Sequence, residues 1–188
     1  MTLEEYRQLF TNILEGRYTQ VPYDNPAYHN YVKLNLSRMK RWTKRSKIGK
    51  ELGDLIKQIN KPQYWIIITE PWCGDAANLI PYFEKMAAIN PMIDVSVQLR
   101  DSNSEIDQYL TNGGRSIPIV IARGQRGKDL FVWGPRPAPA QALVIAQKES
   151  DAPKDEKYAE ILQWYKEDDG ATLQAEIMTL LQEVLLQE

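Results

Sequence analysis

The spacing of hydrophobic positions changes twice along the chain and divides it into three blocks. In the first, Leu3, Tyr6, Phe10, Ile13 and Leu14 recur at helical spacing ahead of Gly16, which predicts an amphipathic helix and its stop. A loop over residues 17–30, rich in tyrosine, leads to a basic helix with Val32, Leu36 and Met39 on one face. Ile48, Leu52, Leu55, Ile56 and Ile59 then mark a cleaner amphipathic helix.

In the second block the period shortens. Tyr64-Trp65-Ile66-Ile67-Ile68-Thr69 is a short apolar, β-branched run, the pattern of a buried strand. A helix is predicted from Asp75 to Ile89, then an alternating strand from Ile93 to Leu99. A short helix follows from Ser104 to Leu110, closed by Asn112-Gly113-Gly114. Two further strands, Ile117–Ala122 and Asp129–Trp133, flank the turn Gly124-Gln125-Arg126-Gly127 and predict an antiparallel hairpin. The order βαβαββ implies an α/β fold, a mixed sheet flanked by helices.

The third block opens on Pro135-Arg136-Pro137 and returns to helical spacing, with breaks near Pro153 and Gly170. Its last helix carries a broad apolar face, Leu173, Ile177, Leu180, Leu181, Val184 and Leu185, which must cover either the sheet or a second subunit of a homodimer. The expected organisation is an N-terminal helical extension (1–61), an α/β core (62–135) and a C-terminal helical segment packing on it (136–188).

Composition removes several function classes. The chain has 188 residues, 43% hydrophobic and 26% charged, enough for one good core with extensions. A net charge of −2 exerts no global pull towards nucleic acid or an anionic membrane. The basic run Lys40, Arg41, Lys44, Arg45, Lys47 and Lys50 reads as a solvated or acid-paired face, because acids such as Glu149, Asp155, Asp168 and Asp169 crowd the last block. One cysteine excludes an intramolecular disulfide, and one cysteine with one histidine, His29, falls short of a structural zinc site. No metal or cofactor is expected. The first ten residues lack a signal-peptide pattern and no stretch reaches the roughly 18 apolar residues that span a bilayer, so a cytoplasmic location follows. Tyr158, Trp164 and Tyr165 are expected to serve packing.

The candidate chemistry sits between the first strand and its helix. A strand, a tight turn and a helix beginning near Gly74 place Cys73 at a helix N-terminus, where unpaired N–H groups and the helix dipole favour an anion. A thiol there tends to a lowered pKa, and the thiolate is the reactive form. Glu70 and Asp75 bring opposing negative charge.

The segment Pro71-Trp72-Cys73-Gly74-Asp75-Ala76-Ala77-Asn78-Leu79-Ile80-Pro81 resembles the active-site region of thioredoxins, with Ala76 in place of the second cysteine and Pro81 at the helix-kinking proline. Gly114-Arg115-Ser116-Ile117-Pro118 resembles the family's loop before a cis-proline, and Ile119 to Gly134 its closing hairpin. The likeness covers about Gln63 to Gly134, and the W-C-G-D-A site is similar to that of a group of bacterial thioredoxin-like proteins. It implies a thioredoxin-like fold, Cys73 as attacking thiol, and a cis Pro118. It also implies that the backbone of Ile117 pairs with substrate, that Trp72 lines the rim, and that Gly74 and Asp75 adjoin the bound group. The family's buried acid on the strand before the site falls on Ile67.

The leading expectation is a monothiol exchange protein whose Cys73 attacks a disulfide-bearing protein or a small mixed disulfide and is freed by an external thiol. The alternatives are a binding or scaffold protein that kept the fold without the catalysis, and a redox sensor in which Cys73 is oxidised. No nucleic-acid or membrane partner is expected.

Overall fold

In the computed structural model, which describes residues 1–187, the central strand is the one the sequence makes most apolar. Strand β1 (Gln63–Thr69) has β2 (Ile93–Leu99) parallel on one side, with Trp65 opposite Val95. On its other side β3 (Ile119–Gly124) runs antiparallel, with Ile67 opposite Val120, and β4 (Asp129–Trp133) completes the order β2-β1-β3-β4. Trp65, Ile67 and Ile68 are fully buried, as a centre strand covered on both faces requires. This is a thioredoxin-like α/β fold with a mixed sheet and flanking helices.

Helix α1 (Leu3–Leu14) starts on a capping box between Thr2 and Glu5 and packs against β2 and α2 (Ala27–Arg45). Helix α2 lies along α4 (Gly74–Ala87), the helix joining β1 to β2. The short α3 (Lys50–Ile56) meets α7 (Ala171–Gln187), and α5 (Ala138–Lys148) meets α6 (Lys154–Asp168). The breaks at Pro153 and Gly170 fall where the sequence predicts them. Leu173, Ile177 and Leu181 on α7 are fully buried in the same core as the sheet, with α7 packed on β4 and α3. The chain therefore covers most of this apolar face by itself.

Helix α2 begins at Ala27, inside the predicted loop, and two further differences from expectation lie beside the sheet. The helix predicted over Ser104–Leu110 is a single 3-10 turn, Ile106–Gln108. The side chain of Gln98 on β2 exchanges hydrogen bonds with Glu105, accepting from its backbone N–H at 3.0 Å and donating to its carboxylate at 2.9 Å, and so holds the segment against the strand. Strand β3 starts at Ile119 and not at Ile117, because Pro118 has no N–H for the ladder; the Ile117–Pro118 peptide is cis. In the basic stretch, Arg45 pairs with Asp169 at 3.0 Å and its guanidinium lies over the Trp42 ring. Among the described residues no helix is long and apolar enough to cross a membrane.

Candidate active site

The turn carrying Cys73 is fixed from both sides. Its backbone N–H donates to the Glu70 carbonyl at 2.9 Å, and the Glu70 side chain points inward, 2% exposed. There the carboxylate accepts the Tyr23 hydroxyl at 2.5 Å and the Asp101 N–H at 3.0 Å. Asn35, buried on α2, donates to the Pro71 carbonyl at 3.0 Å. Two turns further along α2, the Trp42 indole donates to Asn78, which donates in turn to the Gly74 carbonyl. Two buried polar side chains of α2 thus hold the start of α4.

Cys73 is the N-cap of α4, and the Ala76 N–H points at its sulfur from 3.5 Å. The Sγ itself donates to the Ile117 carbonyl at 3.4 Å, across from the cis Pro118. The thiol is 5% exposed, and burial pushes its pKa up to about 12. The Asp75 charge adds to the rise, while the Ala76 N–H and the Arg136 guanidinium oppose it. Desolvation therefore outweighs the helix terminus, a balance that the sequence leaves open. Asp75 is itself bound, by Arg136 at 2.6 Å and by the Tyr165 hydroxyl at 2.8 Å.

Trp72, Cys73, Gly74, Asp75 and Ile117 line one cleft of about 400 Å³, together with Arg100, Arg115, Arg136 and Tyr158. Pro118 stands behind Ile117 and does not line it. Trp72 lies between the edge of Tyr28 and the guanidinium of Arg100, the latter 4.7 Å from its ring centre. Ala76 and Ile67 are buried among apolar side chains, so neither a second thiol nor a buried acid stands at these two positions. His29 does not line the cleft, and its Nε2 is 3.1 Å from the Tyr23 carbonyl.

Sequence reasoning missed the wall built by the last block. Tyr158 and Tyr165, read as packing residues, sit two turns apart on one face of α6. Tyr165 reaches Asp75, and the Tyr158 hydroxyl accepts from Arg38 at 2.6 Å. Their spacing of seven was the available signal; nothing local in the sequence links them to Cys73. Among the described residues no group of acidic, histidine and cysteine side chains is placed to hold a metal ion.

A family model described as thioredoxin matches residues 22–159. No curated protein matches the chain. Among solved structures, an HIV epitope-scaffold is similar in fold at 14% identity and a TM-score of 0.54, over 97% of this chain and 98% of that one. A protein of unknown function from Pseudomonas aeruginosa is similar at 15% identity and a TM-score of 0.51, over 78% of this chain and 90% of that one.

Proposed function

The chain belongs to the thioredoxin family, and from that premise we propose that it performs monothiol thiol–disulfide exchange through Cys73. The observation that carries the reading is the placement of Sγ. It caps α4, faces the carbonyl before cis Pro118 and opens on the cleft. As thiolate, Cys73 attacks one sulfur of a disulfide; a mixed disulfide forms, the old S–S bond breaks, and the second sulfur leaves as a thiolate that takes a proton from water. With alanine at position 76 and no other cysteine in the chain, an external thiol must attack the mixed disulfide and release Cys73. A reducing compartment such as the bacterial cytoplasm supplies such thiols.

A second reading, a binding protein that retains the fold without turnover, is favoured by the burial of the same thiol. The substitution Cys73→Ser separates the two. Turnover of a mixed-disulfide substrate with excess small thiol is expected to fall to the uncatalysed rate, while the fold, followed by circular dichroism, is kept. Turnover that survives the substitution, or its absence from the unsubstituted protein, rejects the exchange reading.

A further inference from the structure

Helix α2 meets the Cys73 turn at a third point, through Arg38. Its Nη1 donates to the Asn35 side-chain oxygen at 2.7 Å and to the Tyr158 hydroxyl at 2.6 Å. The guanidinium also lies over the Tyr158 ring, 5.1 Å from its centre. With its oxygen taken by Arg38, Asn35 must present its amide N–H groups to the Pro71 carbonyl. Tyr158 is committed in the same way: its oxygen accepts from Arg38, and its own proton has no acceptor among the described residues. That hydroxyl lies beside Gly74, 2.6 Å from where a Cβ would stand, and Tyr158 lines the cleft over Cys73. Burial pushes the Tyr158 pKa above its ordinary value, Arg38 opposes the rise, and the charges of Asp75 and Cys73 add to it. The hydroxyl therefore keeps its proton across the neutral range. The arginines of the cleft are otherwise engaged, Arg100 with Asp101, Arg115 with Asp107 and Arg136 with Asp75. The other two hydroxyls in its lining, Tyr31 and Ser116, accept from no cation among the described residues. An oxygen that accepts from a guanidinium makes its own O–H a stronger donor.

We propose that Tyr158, oriented by Arg38, donates a hydrogen bond to the leaving sulfur during exchange at Cys73. This rests on the exchange reading and adds to it a group that acts on the substrate, with Arg38 as the positioning residue behind it. As the Cys73 thiolate attacks, the Sγ–S bond forms, the substrate S–S bond breaks, and the electron pair of that bond goes to the departing sulfur. The charge developing there draws the Tyr158 O–H, which keeps its proton; water supplies the proton that makes the free thiol. A weakly acidic thiol leaves slowly, so it gains most from such a bond.

Two uncharged substrates that leave the same hydroxyethyl group on Cys73 isolate this contact. Hydroxyethyl disulfide expels an alkyl thiolate, and the mixed disulfide of mercaptoethanol with para-nitrothiophenol expels the thiolate of a far more acidic aryl thiol. Formation of the Cys73 adduct is followed by mass spectrometry, and the ratio of the aryl to the alkyl rate is read. Any change in the thiolate fraction of Cys73 multiplies both rates equally and cancels from the ratio. Tyr158→Phe keeps the ring on Gly74 and removes the hydroxyl. It is expected to slow the alkyl disulfide about tenfold and the aryl disulfide less than about twofold. Arg38→Gln should widen the ratio about threefold, and Arg38→Lys should restore it. In the unsubstituted protein the ratio should be about tenfold smaller than for free mercaptoethanol as the attacking thiol, which has no such donor.

A ratio unmoved by Tyr158→Phe, or equal losses on the two substrates, overturns the proposal and leaves the exchange reading standing. So does an unsubstituted ratio no smaller than that of the free thiol, and this comparison decides if Tyr158→Phe does not fold. If Cys73 forms an adduct with neither disulfide, the exchange reading falls and the proposal falls with it.

Discussion

At Cys73 two charges act in opposite directions, Asp75 raising the thiol pKa and Arg136 lowering it, and both are secondary to burial. The thiol pKa of about 12 lies above the ordinary value of 9.0, so the thiolate fraction grows with pH throughout the neutral and mildly alkaline range. Alkylation of Cys73 by iodoacetamide is therefore expected to rise with pH to at least pH 10 without a plateau. Asp75→Asn removes the charge while leaving an oxygen to accept from Tyr165. The thiol pKa then falls, and a fall of about half to one unit speeds alkylation at pH 8 by roughly three- to tenfold. An unchanged rate would show that Asp75 does not act on the sulfur. The order Trp72-Cys73-Gly74-Asp75 and the loop ending in Pro118 made most of the cleft legible in the sequence, because those residues are local to two turns. Its burial was not legible. The groups that pack around the turn, Arg136 and Tyr165 on Asp75 and Tyr158 on Gly74, lie more than sixty residues further along the chain, and only their packing brings them there.

Between elements, α6 fits closely against the start of α4. A Cβ built on Gly74 would stand 2.6 Å from the Tyr158 hydroxyl and 3.3 Å from its ring. The backbone there belongs to an ordinary α-helix, so the demand for glycine comes from this neighbour and not from an unusual turn. Gly74→Ala is expected to destabilise the protein by about 1–3 kcal/mol through overpacking. In a Tyr158→Ala background the same substitution should be neutral or mildly stabilising, since alanine is the better helix former by about 1 kcal/mol. Denaturant melts of the four proteins measure the coupling, and additive effects would mean that α6 does not rest on Gly74. Element types were readable where the pattern was unambiguous, in the apolar β-branched run of β1 and the long helical spacing of α4 and α7. They were misread over residues 104–110, where a pair of side-chain bonds from Gln98 on β2 to Glu105 overrides a helical pattern.

Over the whole molecule, the three blocks of the sequence feed one core. Phe10 and Trp42 from the first, Trp65 and Phe83 from the second, and Leu173 and Ile177 from the third all belong to the same buried cluster. The blocks are bolted together by Arg45–Asp169 and by the Gly49 N–H donating to Gln174 at 2.8 Å. Leu181→Ala, at a fully buried position on α7, should cost about 2–5 kcal/mol. The loss should appear equally in the far-ultraviolet signal of the helices and in the near-ultraviolet signal of the sheet tryptophans. Two transitions with separate midpoints would show the C-terminal block melting by itself. The clasp of Gly74 by Tyr158 has a consequence for the lineage as well as for the molecule. Wherever a relative of this chain has lost that tyrosine, or the helix that carries it, position 74 is released from its steric limit and is free to drift to a larger residue. The two positions should therefore change together across relatives, and a bulky residue at 74 beside an intact tyrosine at 158 should be missing from any alignment of them.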